Sequence, residues 1–374
     1  RARAEAAAAT AAAIRVATRA QIDDLAIQRR FSFRWFSNAV RNLLTLPPVT
    51  VELPRSERVV VAAAGPSLEA GIADLDGSIP VIATDTALPA LLENGVRPLA
   101  VVSLDCQQVS YHHFLAGRSI EIESRGWAQR ARSAGARSPA SPGAASDSGA
   151  SFPLVADLSS PPTLFREHAP SVFTATNYPF ARMLRSHFPG IAFADGGGGN
   201  VTQAALSLVD GLGARKVHLI GADLSYPAGK PYARDTYLYP YFRSHETRLE
   251  PTHGKLFDLV LSDPAIRAEV DDRGRVYFTP KLDEYRRRLE AFAASLRAEV
   301  RFGSPGADNT PHAPAGGGLG DHRGAEGRPE DRARIDQGEK EQRVLSVPPP
   351  EERRAFLSEY LARLEALDTP EAPT

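Results

Sequence analysis

From Ser56 to Phe302 the chain alternates between two hydrophobic periods. Short apolar runs, many of them β-branched, read as strands: ERVVVAAAG (57–65), IPVIATD (79–85), RPLAVVSLD (97–105), SVFTATNY (171–178), GIAFAD (190–195), RKVHLIGADL (215–224) and VRFGS (300–304). Uninterrupted apolar character of this kind suits strands buried on both faces. Between them, SLEAGIADL, TALPALLENG, PFARMLRSHF, NVTQAALSLVDGLGA and PKLDEYRRRLEAFAASLRAE carry apolar residues at helical spacing, with Gly95 placed to terminate its helix. Strand and helix in alternation, joined by short connections, predict an α/β fold: a Rossmann-like, mostly parallel sheet with helices on both faces.

The flanks have other patterns. Residues 1–55 form an Ala-rich run followed by FSFRWFSNAVRNLL, whose aromatic and leucine spacing predicts a packed amphipathic helix ended by Pro47 and Pro48. Residues 128–151 are Ala, Ser, Gly and Arg with too few apolar side chains to offset ordering entropy, and read as a flexible insertion in the 56–302 domain. Residues 303–350 read as a disordered linker for the same reason, and 351–374 as a terminal amphipathic helix, EERRAFLSEYLARLEAL, with a short tail. The Tyr- and His-rich stretch 225–280 shows no clear period and is placed to form a lid.

Composition removes several function classes. Over 374 residues the formal net charge is −1, so no bulk field draws the protein to nucleic acid or anionic lipid. Cys106 is the single cysteine, which excludes an intramolecular disulfide framework and a CxxC metal site. No apolar run is long enough to span a bilayer. The chain starts at Arg1 and reads as a possible fragment, so the lack of a signal peptide carries little weight; a cytoplasmic location is the default expectation.

In an open parallel sheet, ligands bind beyond the carboxyl ends of the strands. Read there, the sequence offers a polar rim: Gly65, Pro66 and Ser67 after the first strand, Asp85 after the second, Asp105 after the third, Thr176 and Asn177 after the fourth, and Gly221 and Asp223 after the sixth. The fifth is followed by four glycines, Gly196, Gly197, Gly198 and Gly199, and then Asn200 at a helix start. Free N–H groups and the positive end of a helix dipole suit a phosphate or carboxylate, and glycines let it approach; equally, the glycines suit a bare tight turn with Asn200 as N-cap. Ser67 likewise reads as an N-cap or a ligand contact. Asp85 and Asp105 read either as caps or as acceptors for a ribose hydroxyl, a base amine or hydrated Mg²⁺. His245 and His253 are candidate general bases in the lid, since imidazole titrates near neutrality, and Asp223 is a third catalytic candidate; Lys230, Tyr232 and Arg234 can supply positive charge to a leaving phosphate. His218 reads as structural, and His112 with His113 as cover for the sheet edge. GPSL is neither a dinucleotide fingerprint nor a Walker loop.

Three segments in this order, VVVAAAGPSLEAGI, VIATDTALPALLENGVRPLAVVSLDCQ and GGGGNVTQAALSLVDGLGARKVHLIGADLSYPAGKPYA, closely resemble the MptE-like family. That family includes archaeal 6-hydroxymethylpterin diphosphokinases and bacterial motility-associated Maf flagellin glycosyltransferases. A more distant likeness is to bacterial sialyltransferases that use CMP-sialic acid. The resemblance implies a Rossmann-like transferase that binds a nucleotide at the strand ends, with Gly65, Pro66 and Ser67 by the nucleotide and Gly198, Gly199 and Asn200 near phosphate or sugar carboxylate. It further implies a later histidine that activates the acceptor. The chain has glycines where the sialyltransferases carry serines, and it offers two histidines, so the base stays open.

Three functions follow as expectations. The first is glycosyl transfer of a nonulosonic acid from a CMP-sugar to Ser or Thr of flagellin, with no tightly bound cofactor. The second is pyrophosphate transfer from ATP to a pterin, with Mg²⁺ across the ATP phosphates and Asp85 with Asp105 as its natural ligands. The third is a non-catalytic scaffold that binds nucleotide-sugar or protein.

Overall fold

The computed structural model describes residues 2–46, 50–108, 110–114, 152–167, 171–175, 178–197, 199–271, 274–303, 344–346 and 348–368. The predicted insertion, most of the predicted linker, and Thr176, Asn177 and Gly198 lie outside the described residues.

The described residues contain the strands β1 Thr50–Glu52, β2 Arg58–Ala62, β3 Val81–Thr84, β4 Ala100–Ser103, β5 Leu154–Asp157, β6 Ser171–Ala175, β7 Ala192–Phe193, β8 Lys216–Ile220, β9 Tyr226–Pro227, β10 Arg267–Asp271, β11 Gly274–Phe278, β12 Glu299–Phe302 and β13 Val344–Ser346. Eight of them form the central sheet in the order β12-β8-β2-β3-β4-β5-β6-β7. Every pairing in it is parallel, as the apolar runs predict. β5 is absent from the predicted strands because Leu154–Asp157 is four residues long, all buried, and shows no period of its own.

The sheet is apolar on both faces because its strand residues alternate between two cores. Val60, Ala62, Val81, Ala83, Val101, Leu154 and Ala156 face one side with the helices Leu68–Ala73, Leu88–Glu93, Pro162–Glu167 and Pro179–His187. Val59, Val61, Ile82, Val102, Val155, Val217 and Leu219 face the other with Val201–Gly211 and Pro280–Ser295. From β2 the chain moves outward through β3, β4, β5, β6 and β7, with its helices on the first face. The helix Val201–Gly211 then carries it back beneath the second face to β8, on the far side of β2. The direction of winding therefore reverses between β2 and β8, which is the position at which doubly wound sheets open a ligand crevice.

The N-terminal helix Ala2–Thr45 ends just before Pro47 and Pro48, as expected. At 1.5 Å per residue it is about 66 Å long, and its last part is the part seen to dock. Ala39 and Leu43 are fully buried against the C-terminal helix Pro350–Asp368 through Phe356 and Leu357. A buried leucine contributes roughly 1.5–3 kcal/mol, so a few such contacts suffice to hold the two terminal helices together. The Phe36 ring meets Phe180 edge-on at 5.2 Å, and Arg353 donates to the Leu46 carbonyl at the helix end. β13, at the end of the stretch read as a linker, is an ordered strand antiparallel to β1. The stretch 225–280 is more regular than predicted: β9, β10 and β11 form an antiparallel sheet, accompanied by the helices Leu238–Arg243 and Thr252–Leu261.

Candidate functional site

The carboxyl ends of β2 and β8 are stitched together at the point of reversed winding. Ala63 N–H donates to the Ile220 carbonyl at 2.9 Å and Gly65 N–H to the Gly221 carbonyl at 2.7 Å. The approach leaves no room for side chains. A Cβ on Gly221 would lie 2.1 Å from the Ala63 carbonyl oxygen, and one on Gly65 would lie 2.2 Å from Asp223 Oδ2. Gly221 also has φ +70°, a conformation that L-residues avoid. Ser67 stands at the N-cap position of Leu68–Ala73, but its backbone is helical and its side chain makes no cap bond. Its hydroxyl donates to Asp223 Oδ2 at 2.8 Å, and its N–H to the same oxygen at 3.0 Å. Burial raises the Asp223 carboxyl above its ordinary range, while the two Ser67 bonds pull it back down. Gly65, Pro66, Ser67 and Asp223 thus form one seam.

Beside the seam, β3 and β4 end in two carboxylates. Asp85 is buried; its Oδ1 accepts from the Thr86 N–H at 2.7 Å and its Oδ2 from the Ser103 hydroxyl at 2.7 Å. Asp105 accepts from the Gln107 N–H at 2.9 Å, and its pKa is raised by burial and by the nearby Asp85 charge. His113, read from the sequence as edge cover, is buried against these two carboxylates. Its Nδ1 has no hydrogen-bond partner and its ring meets Tyr237 edge-on at 4.4 Å. Burial lowers its pKa, against the pull of Asp85 and Asp105, and so favours the neutral imidazole. Tyr232, also near Asp85, is pushed up to about 12 by burial.

The two Asp side chains were also read as a Mg²⁺ pair. Among the described residues no group of three or more His, Cys, Asp or Glu side chains is arranged to hold a metal ion. Both Asp85 oxygens and both Asp105 oxygens accept hydrogen bonds from neighbours, and two such carboxylates match the one or two that hold Mg²⁺ beside substrate phosphates.

The glycine-rich turn after β7 closes on itself. Asn200 is the N-cap of Val201–Gly211, and its side chain accepts from the Gln203 N–H at 2.9 Å. Asp195 Oδ1 accepts from the Gly197 N–H at 2.8 Å, and Gly199 N–H donates to the Gly196 carbonyl at 2.9 Å. Gly199 has φ +78° and packs on Tyr285. These bonds match the tight-turn alternative. Gly198 and Asn177 lie outside the described residues.

The segment after Asp223 lies on the GPSL loop. Ala233 N–H donates to the Ala64 carbonyl at 2.9 Å, and Glu69, in the first turn of Leu68–Ala73, accepts from the Arg234 N–H at 2.8 Å and pairs with Lys230 at 3.5 Å. The non-glycine residues with positive φ among those described are Leu224, Ala228 and Asp235, all within this segment. Such strain costs about 1–3 kcal/mol per residue and persists where the surroundings impose it. Next to it opens a cleft of about 260 Å³ lined by Arg234, Tyr239, Arg243, Glu246, Thr252 and His253. His245 is not among the lining residues; it is exposed, and its Nδ1 lies 2.8 Å from the Tyr241 carbonyl.

The loops after β4 and β5 are covered by the N-terminal helix. Asn38 Nδ2 donates to the Cys106 and Ser159 carbonyls at 3.1 and 2.8 Å, and Asn42 Nδ2 to those of Leu158 and Ser160 at 2.8 and 2.9 Å. The N-terminal helix so binds the loops after β4 and β5 through one asparagine pair, four residues apart on the same face. Glu69, His113, Arg243, Glu246 and this pair were not singled out as site residues. Glu69 alone has a local signal, an acid in the first helical turn after GPSL.

A doubly wound α/β sheet with a polar seam at its winding reversal is the class that fold and site define. Residues 34–122 match the MptE-like family, described as 6-hydroxymethylpterin diphosphokinase MptE-like. The match begins where the N-terminal helix docks and takes in Gly65, Ser67, Asp85, Asp105 and His113. Two uncharacterised proteins of Treponema pallidum (strain Nichols) are similar. One is 32% identical over 126 residues, covering 34% of this chain and 44% of its own; the other is 33% identical over 94 residues, covering 24% and 45%. Among solved structures, a Maf glycosyltransferase from Magnetospirillum magneticum AMB-1 is similar at 15% identity and TM-score 0.45, over 88% of this chain and 41% of that one. The chain spans less than half the length of each of these three proteins. No helix among the described residues is long and apolar enough to cross a membrane.

Proposed function

We propose that the chain is a nucleotide-dependent transferase, a Maf-like glycosyltransferase that moves a nonulosonic acid from a CMP-sugar to Ser or Thr of flagellin. The seam carries this reading: Gly65 and Gly221 are excluded from bearing side chains, and Ser67 is held by Asp223, at the one place where a doubly wound sheet opens for a ligand. Nucleotide lies across Gly65, Pro66 and Ser67, with Asp105 and His113 beside it. Lys230, drawn to the GPSL loop by Glu69, is placed to meet negative charge on the departing phosphate.

In the transfer, a base takes the proton of the acceptor hydroxyl, the new C–O bond forms at the anomeric carbon, and the bond to the CMP phosphate breaks with its electron pair leaving on CMP. His253 is assigned as that base because it lines the cleft; His245, whose Nδ1 faces a backbone carbonyl, is not. Asp223 acts by positioning Ser67.

The family description favours a second reading, pyrophosphate transfer from ATP to a pterin, with Asp105 as Mg²⁺ ligand. Calorimetry with CMP, CDP and ATP, each with Mg²⁺ and with EDTA, separates the readings. CMP binding that ignores EDTA supports glycosyl transfer; Mg²⁺-dependent ATP binding supports the diphosphokinase; binding of none of the three refutes both.

A further inference from the structure

We infer that the cleft beside the GPSL loop is an oxyanion subsite, taking a carboxylate or phosphate on Arg234 and Arg243. At about 260 Å³ the cleft falls below the roughly 300–1,000 Å³ of pockets that enclose a whole small molecule. One sugar-sized or phosphate-sized group fills it. Its two guanidiniums form no ion pair with any described residue. Glu246 is the cleft's own carboxylate, and it is committed elsewhere: it accepts from the Thr252 N–H and the Thr252 hydroxyl, both at 3.1 Å, and so caps the helix Thr252–Leu261. Against that single carboxylate, whose charge also acts on Arg243 and His253, the cleft sets two planar donors suited to two-pronged binding of an oxyanion.

The arrangement is held in place. The Arg234 N–H is anchored to Glu69, its neighbour Asp235 has φ 68°, and Ala233 is fully buried and bonded to the Ala64 carbonyl. The subsite therefore adjoins the seam, and a ligand reaching both must carry an anionic group beyond its nucleotide end. This inference stands on the cleft alone and does not need the nucleotide reading.

The test is calorimetry on the full chain and on Arg243→Gln, an exposed residue with no ion pair to lose on folding; Arg234→Gln is the second variant, and thermal melting checks that both fold. The probes are N-acetylneuraminic acid, its uncharged methyl ester, inorganic phosphate and cytidine. The expected result is that the acid or the phosphate binds the wild type, weakens at least about tenfold in Arg243→Gln, and leaves cytidine binding unchanged. Dependence of the acid alone identifies a sugar carboxylate as the occupant, and dependence of phosphate identifies a phosphoryl group. Equal binding of acid and ester with no arginine dependence of phosphate, equal binding by wild type and both variants, or binding of neither anion to the wild type overturns the subsite. Loss of nucleotide binding with anion binding retained sinks the proposed function and leaves the subsite standing.

Discussion

Two glycine-bearing turns read alike in the sequence and differ in the structure. The seam of Gly65 and Gly221 joins adjacent strands at the winding reversal, where an added Cβ would collide with backbone or carboxylate at 2.1–2.2 Å. The turn from Gly196 to Gly199 has more glycines and less crowding. A Cβ on Gly197 would meet the Asp195 side chain at 2.9 Å, and one on Gly199 the Tyr285 ring at 3.1 Å. In the first, glycine is imposed by two strand ends in contact. In the second it serves a turn whose Gly197 N–H is answered by Asp195 and whose Gly199 N–H by the Gly196 carbonyl. Density of glycine signals an irregular backbone; only the absence of space signals an assembled site.

The comparison breaks most visibly at Gly221. Gly221→Ala combines a positive φ with a 2.1 Å backbone contact and is expected to cost about 3 kcal/mol or more, read as a large fall in melting temperature or loss of folded protein. If Gly221→Ala melts like the wild type, the seam is not crowded and the contrast fails.

Asp223 gives the next effect. Burial lifts its carboxyl above the unfolded value of 3.8. The folded chain holds that proton more tightly, so the contribution is present in full below the unfolded pKa and is lost as pH rises through the raised folded value. Relative to Asp223→Asn, the wild type should lose stability across this window by up to about 1.4 kcal/mol per pH unit, measured as the difference in melting between pH 3 and 7. A pH-independent difference would mean that Asp223 is not desolvated in the seam.

At the glycine-rich turn the expected changes are smaller. Asn200→Ala removes one N-cap bond and should cost about 1 kcal/mol in chemical denaturation. Gly199→Ala should cost a similar amount, through positive φ and a tight ring contact. Costs equal to that of Gly221→Ala would erase the distinction.

His113 sharpens the picture with the smallest effect. Its pKa is lowered by burial among Asp85, Asp105, His112 and Tyr237, so its contribution is present above the unfolded value of 6.5 and is lost as pH falls through the folded value. His113→Gln should flatten the fall in melting temperature on acidification below pH 6.5. An unchanged slope would place His113 in solvent.

The alternating apolar runs made most of the sheet legible, because a strand buried on both faces must be apolar throughout and its helices must carry a stripe. β5 escaped because four buried residues display no period. β9, β10 and β11 escaped because exposed strands such as Arg267–Asp271 are largely polar. The residues of the seam were legible as strand-end punctuation, since Gly65 and Gly221 stand where strands must stop. Their partnership was not, because Ser67 and Asp223 are 156 residues apart and nothing local records their bond. The same holds for Asn38 and Asn42, whose helix pattern predicts packing but whose backbone partners lie more than 60 residues away.

The measurement that tests the account most directly is CMP affinity by calorimetry in Ser67→Ala and Asn200→Ala, each checked for folding. A ligand seated on the seam predicts about a tenfold loss in Ser67→Ala and a change within about twofold in Asn200→Ala. Loss confined to Asn200→Ala would place the nucleotide at the glycine-rich turn and contradict the account.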